Sequence, residues 1–332
     1  MFFVENYAAA VFFCVVTMLC WGSWGNTQKL AGKTWRYELF YWDYVIGMLV
    51  FTVASGLTFG SMGAQGRSFL PDLQQASLSN MGSAFLGGIV FNAANILLSA
   101  AISIAGMSVA FPVGIGLALV LGVIITYIGK PQGDPVLLFC GVALIVVAIV
   151  LNACAYKLKE AGRTKVPMKG ILLSLVCGVL MACFYRFVAS SMVDDFAAPA
   201  ADKMTPYSAF FVFACGVFAS TFVFNTIAMK KPVAGESISP SEYFKSGLPI
   251  HVVGVLGGLI WGLGFGINLV AAGKAGPAIS YGLGQGATLV AALWGILIWK
   301  EFDGAPKRAI TLNAIMFGLF IAGLGLIVRA GV

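Results

Sequence analysis

Charge is what this chain has least of. Only 10% of its residues are Asp, Glu, Lys or Arg, against 60% hydrophobic. Soluble domains carry roughly a quarter charged residues, so a water-soluble fold is excluded and an integral membrane protein is expected. Histidine is scarcer still. His251 is the single one, which leaves a metal site or a Ser-His-Asp triad poorly supported. The seven cysteines, Cys14, Cys20, Cys140, Cys154, Cys177, Cys183 and Cys215, form no CxxC pair and sit in or beside apolar runs, as small packing residues do. No phosphate-binding loop is found. The GLGQG stretch Gly282–Gly286 follows no strand and lies inside an apolar run, so no cofactor and no ATP drive are expected. The opening MFFVENYAAAVFFCVV has neither a basic n-region nor an A-x-A cleavage site and reads as a first span rather than a signal peptide.

What is present is a succession of apolar runs. Requiring roughly twenty mostly apolar residues for each crossing places ten spans at about Tyr7–Asn26, Tyr41–Gly60, Gly82–Ala105, Val109–Tyr127, Pro135–Tyr156, Met168–Ser191, Tyr207–Met229, Pro249–Ala272, Ala278–Trp299 and Arg308–Val328. All should be helices, because lipid offers no partner to unpaired backbone groups. The chain also matches itself. A shift of 170 residues brings Gly87/Gly257, Gly88/Gly258, Ala101/Ala271, Ala105/Ala275, Gly106/Gly276, Gly114/Gly284, Gly116/Gly286, Leu119/Leu289 and Val120/Val290 into coincidence without a gap. One register held across two spans and their turn indicates two repeats of one membrane unit. Residues 1–156 would form the first five-helix repeat, 157–167 a cytoplasmic connection and 168–332 the second repeat. Five is odd, so the two halves must have opposite orientations. The expected fold is an all-α integral membrane protein of ten transmembrane helices in two inverted five-helix repeats.

Orientation follows from basic residues in the connections. Those after odd-numbered spans hold fourteen: Lys29, Lys33, Arg36, Lys157, Lys159, Arg163, Lys165, Lys169, Lys230, Lys231, Lys245, Lys300, Lys307 and Arg308. The opposite side holds five, Arg67, Lys130, Lys203, Lys274 and Arg329. Both termini are therefore expected outside and the central connection in the cytoplasm of a plasma or inner membrane. The net charge of +7 is explained by topology and needs no nucleic-acid partner.

Polar residues within spans cost energy and ask for a reason. Arg186 is either a snorkelling residue at the outer boundary or the lining of a cavity, where its planar donor fork would bind an anionic or carbonyl-rich solute. The repeat places it near Trp24–Asn26. Asp43 either marks the interface beside Tyr41, Trp42 and Tyr44 or, if buried, is a candidate for proton coupling. Glu38 is read as too close to water to compete. Asn92 and Asn95 share a face of span three, Asn268 and Gln285 lie in spans eight and nine, and Tyr281 precedes Gln285 by one turn. Trp21, Trp24 and Trp261 sit among them, with Phe91 the 170-shift partner of Trp261. Amides beside aromatic rings suit a neutral, multiply hydrogen-bonding ring compound; interhelical hydrogen bonding alone is the competing reading for each. Gly254, Gly258, Gly262 and Gly266, spaced by four, form a close-packing seam.

These motifs resemble a known family. Cys20-Trp21-Gly22-Ser23-Trp24, Trp42-Asp43-Tyr44 after a basic loop, Gly87-Gly88-Ile89-Val90 with Asn95, the stretch from Tyr207 to Asn225, and Gln285 followed by Trp294-Gly295-Ile296-Leu297 resemble the plant ureide permeases and bacterial sugar-uptake or rhamnose permeases of the drug/metabolite transporter superfamily. The chain departs from that pattern in its short central connection, and in Gly25 and Arg186 where the family places prolines. The resemblance implies a secondary transporter, not an enzyme: a proton-coupled importer of a ureide, nucleobase or sugar working by alternating access. Its partners would be a small-molecule solute, a proton or other coupling ion and the lipid bilayer, in a monomer or homodimer. Trp21, Trp24, Asn92, Asn95, Arg186, Trp261, Tyr281 and Gln285 are the candidate solute-binding residues and Asp43 the candidate for coupling. The alternatives are an exporter of drugs or metabolites and, from a different class, a non-transporting membrane sensor.

Overall fold

The computed structural model describes residues 1–32, 34–159 and 167–332. Lys33, Arg163, Lys165 and most of the expected 157–167 connection lie outside the described residues. Among those described there is no strand, and ten helices are long and apolar enough to cross a membrane. We number them α1 (Tyr7–Ala31), α2 (Tyr37–Leu57), α3 (Leu78–Ala105), α4 (Phe111–Gly129), α5 (Pro135–Lys159), α6 (Met168–Ser191), α7 (Pro206–Lys230), α8 (Leu248–Ala275), α9 (Pro277–Ile298) and α10 (Lys307–Arg329). The structure extends several spans beyond the purely apolar core. α2 and α3 each begin four residues earlier than composition indicates, because the start of a helix tolerates polar residues that the lipid interior does not.

Local chemistry sets these boundaries. The Asn6 side chain accepts from the Ala9 amide at 2.8 Å and caps α1. Asp134 accepts from the amides of Val136 and Leu137 and opens α5, satisfying donors that a helix start leaves orphaned. The α3–α4 and α8–α9 turns pivot on Gly106 and Gly276, both at φ +80°, a conformation a side chain would strain. These are positions coincident under the 170-residue shift. Three helices are irregular. α1 breaks at Trp24, α9 breaks at Gly286, and π-helical turns open α4 (Phe111–Ile115) and close α9 (Trp294–Ile298). Such breaks free backbone groups and are tolerated where a helix faces protein or a cavity.

Packing rests on close backbone approach, since lipid gives apolar faces no reason to leave it. Across α2 and α8, a Cβ on Gly258 would overlap the carbonyl oxygen of Tyr44, and one on Gly47 that of Val255. Across α3 and α7, a Cβ on Gly88 would overlap the carbonyl of Phe213, and one on Gly216 that of Phe85. The two interfaces thus interlock in the same way. The seam read from sequence packs mainly on α2: Gly254 lies against Asp43, Gly258 against Tyr44 and Gly262 against Phe51, while Gly266 lies between Phe210 of α7 and Phe51. α5 and α10 form a further pair, with Gly141 and Gly323 packed on each other's carbonyls.

Candidate functional site

Among the described residues, spaces lie at both ends of the bundle and at its centre. At the end formed by the α1–α2, α3–α4 and α7–α8 connections is a vestibule of about 710 Å³, walled by Gln28, Lys29, Trp35, Arg36, Met107 and Trp299 among others. At the opposite end is one of about 300 Å³, lined by Lys130, Arg186, Asp194 and Lys203. Between them is a central cavity of about 20 Å³, space for little more than one water molecule. The side chains around the centre are buried and leave little space among them.

The central cavity is aromatic and amide-lined. Trp21 and Trp24 reach it from α1, Phe91 and Asn95 from α3, Phe111 from α4, Phe184 from α6, Trp261 from α8 and Gln285 from α9. Trp21 stacks on Trp261 with ring centroids 5.8 Å apart and planes at 13°. Phe91 meets Trp261 at 4.4 Å, so these coincident residues face each other across the centre. Phe213 stacks behind Trp261 at 6.1 Å. Trp21 Nε1 is buried without a partner, a donor whose burial costs energy until something accepts from it. None of the lining side chains is charged. A cavity of flat rings and amides without charge suits a neutral solute that stacks and hydrogen-bonds.

The structure separates the remaining candidates. Asn92 does not line the cavity. Its Oδ1 accepts from the Tyr41 hydroxyl at 2.9 Å, and its Nδ2 lies 2.8 Å from Ser220 Oγ, 3.0 Å from Thr221 Oγ1 and 3.1 Å from the Val217 carbonyl. It knits α2, α3 and α7. Asn92→Leu is expected to lower stability by about 1–3 kcal/mol, because partners are left unsatisfied; a melting temperature equal to wild type would contradict this role. Asn95 donates to Tyr41 at 3.2 Å while lining the cavity. Tyr281 is fully buried, its hydroxyl 3.2 and 3.1 Å from the carbonyls of Ala118 and Met181, and closes the layer above the centre. Tyr185 and Asn268 bond beside it at 2.8 Å. On the other side Gln28 donates to the Ser99 carbonyl at 2.9 Å, bridging α1 and α3 beneath the cavity.

Arg186 stands apart from the cavity group, exposed on the wall of the 300 Å³ vestibule beside Gly129. There Lys130 binds Asp194, and this bond holds the Asp194 carboxyl below the ordinary carboxylate range. A depressed carboxyl contributes its stability above its ordinary value and loses it only as pH falls through the lower folded one. This latch is consequently constant between pH 5 and 8. Asp43 is 2% exposed, with one oxygen 2.8 Å from His251 Nδ1 and the other accepting from the Tyr243 hydroxyl. Glu38, placed by sequence near water, is 1% exposed and held by two bonds from Arg36, at 2.6 and 3.2 Å.

A family model described as ureide permease matches residues 40–165 and 157–330. The chain belongs to the ureide permease family. It is a membrane transporter and not an enzyme. Ureide permease 1 of Arabidopsis thaliana is 21% identical over 386 residues, covering 99% of both chains. An L-rhamnose-proton symporter of Escherichia coli O1:K1 / APEC is 28% identical over 279 residues, covering 75% of this chain and 80% of the symporter. A solved crystal structure with 16% identity superposes with a TM-score of 0.60 over 97% of this chain and 96% of the other, a likeness of fold alone. The two segments matched by the ureide permease model meet at the central connection.

Sequence reasoning missed Phe111, Met181 and Phe184 on the cavity wall and His251 and Tyr243 beside Asp43. A signal existed for Phe184. It follows Met181 by three residues and so shares a helix face with it, whereas Arg186, two residues on, points about 200° away. Both cannot face the centre.

Proposed function

We propose that this permease is a secondary active transporter that imports a small, neutral, polar ring metabolite with protons, binding it between Trp21, Trp24 and Trp261 with Asn95 and Gln285 as polar anchors. The uncharged aromatic and amide lining of the central cavity is the observation that carries this reading. The relatives' names supply the solute classes to test, ureides and a deoxyhexose, and one of them names the proton. The matching glycine interlocks of α2/α8 and α3/α7 support two inverted repeats, 1–156 and 168–332, rocking about the cavity. The basic connections support a cytoplasmic placement of the 710 Å³ vestibule in an inner or plasma membrane, with termini outside. The larger vestibule would then lie on the inner side of the cavity. Arg186, with Lys130 and Lys203, would line the outer approach and not the binding site.

The test is thermal shift of the purified protein against ureides, nucleobases, hexoses, deoxyhexoses and amino acids at two pH values. A bound solute at 100 times its Kd adds about 2.7 kcal/mol. Neutral ring compounds are expected to respond. A response confined to charged solutes would overturn the reading of the cavity.

A further inference from the structure

Four side chains from separate stretches meet beside the larger vestibule. Asp43 lies near the start of α2 and His251 in the first turn of α8. Tyr243 lies on the short 3₁₀ turn Pro240–Lys245 before α8, and Trp35 in the α1–α2 connection. His251 Nδ1 is 2.8 Å from Asp43 Oδ2, and the Tyr243 hydroxyl bonds Asp43 Oδ1. The Trp35 ring stands edge-on to the imidazole at 4.8 Å, and the Tyr243 ring at 4.7 Å. The carboxylate is 3% exposed and the imidazole 19%. Trp35 also walls the vestibule, so one ring touches both the imidazole and that space.

Burial, and then the bond to Asp43, raise the Tyr243 hydroxyl further above its ordinary range, so it remains a donor at physiological pH. Tyr243 donates to one oxygen of Asp43, and in the tautomer that carries its proton on Nδ1 His251 donates to the other. A histidine protonated at Nδ1 keeps a free lone pair on Nε2. We propose that His251, oriented by Asp43 and enclosed by Tyr243 and Trp35, is the residue that binds the coupled proton, at Nε2. This rests on the proton-coupled reading above and moves the carrier from Asp43 to its partner. Uptake adds one proton to the Nε2 lone pair and makes an imidazolium–carboxylate pair; release returns a neutral imidazole, and no other bond forms or breaks. Because Gly254 packs directly on Asp43, the charge of the pair acts on the α2–α8 seam, where the two halves meet.

Among the described residues, several charged and polar groups on the elements around the pair bond elsewhere. From the α1–α2 connection and the start of α2, Arg36 binds Glu38 and the carbonyls of Ala234 and Glu236. On the 3₁₀ turn, Lys245 binds Glu242. α7 presents Asn225, bonded to the Glu38 carbonyl, and α1 presents Thr27 against Gly257. Among the described residues no further ionisable side chain bonds Asp43 or His251.

Two experiments decide the matter. The first needs no solute, since the single histidine gives one set of imidazole signals in ¹⁵N-histidine-labelled protein in nanodiscs. Nδ1 is expected to stay protonated while Nε2 gains a proton as pH falls from 9 to 5. In Asp43→Asn the Nε2 change is expected to move to lower pH by about one unit, the loss of an adjacent opposite charge. An unprotonated Nδ1, or signals indifferent to Asp43→Asn, would overturn the inference. The second is uptake of labelled L-rhamnose and of allantoin, a ureide, into proteoliposomes across a pH gradient. His251→Gln is expected to move half-maximal uptake acid-ward, because the imidazole is gone and a carboxylate is intrinsically the weaker base. Tyr243→Phe, which makes the carboxylate more basic, should move it the opposite way, a signature that mere loss of packing would not give. Should His251→Gln keep the wild-type pH profile, this inference fails and proton coupling stands. Should wild-type uptake ignore a protonophore, the proton-coupled reading fails and this inference with it. Monodisperse elution checks that each variant folds.

Discussion

Gly258→Ala is expected to yield protein that aggregates on extraction or melts far below wild type. The added methyl would overlap the Tyr44 carbonyl and crowd the Met48 amide nitrogen. Both are backbone atoms of α2, so no side-chain rotation can relieve the clash, and the whole helix must move. Overpacking typically costs about 1–3 kcal/mol where side chains can yield, and here the cost should lie at or above the top of that range. Gly88→Ala, against the Phe213 carbonyl of α7, should behave alike. Gly318→Ala and Gly325→Ala are the controls. Nothing lies within 4 Å of a Cβ at either position, and alanine in a helix interior is favoured over glycine by about 0.5–1 kcal/mol. Melting curves in one detergent compare all four. If Gly258→Ala and Gly318→Ala melt together, the α2–α8 interface is not the close contact described.

Trp261→Ala is expected to remove solute binding, with a loss of affinity exceeding 100-fold, and to destabilise the protein by about 3–5 kcal/mol. Its ring touches Phe91 at 4.4 Å, Phe265 at 5.0 Å, Trp21 at 5.8 Å and Phe213 at 6.1 Å, so its removal opens the centre of the bundle as well as one wall of the site. Two further variants separate the effects. Trp261→Phe keeps a ring in place and should recover most of the stability. Gln285→Leu keeps the volume but deletes the polar anchor, and should weaken binding about 10–100-fold, the loss of about 1.4–2.8 kcal/mol. Isothermal titration with a solute returned by the thermal-shift panel measures both. Unchanged affinity in Gln285→Leu would remove that amide from the site.

Much of the site was legible one residue at a time. Trp21, Trp24, Asn95, Trp261 and Gln285 stand out in sequence because an indole or amide in an apolar run is costly or rare, and all five line the central cavity. Their neighbours show where that reasoning ends. Asn92 and Asn95 are three apart, about 60° apart around the helix, and this is enough to turn one into the α3–α7 interface and leave the other on the cavity wall. Arg186 attracted attention through its charge, whereas Phe184, the cavity residue, looked like any core aromatic. His251 was set aside because one histidine builds neither a metal cluster nor a triad. Its partner Asp43 lies 208 residues earlier, and no local pattern links the two.

Membrane class, the ten helices and the glycine seam of α8 can be read along the chain, because each follows from a rule applied to one segment: lipid demands a satisfied backbone and about twenty apolar residues, and helical periodicity puts every fourth residue on one face. Which polar side chains meet cannot be read that way. That depends on how α1, α3, α6, α8 and α9 cross and on the rotation of each about its own axis, and both are fixed by packing between residues far apart in the chain.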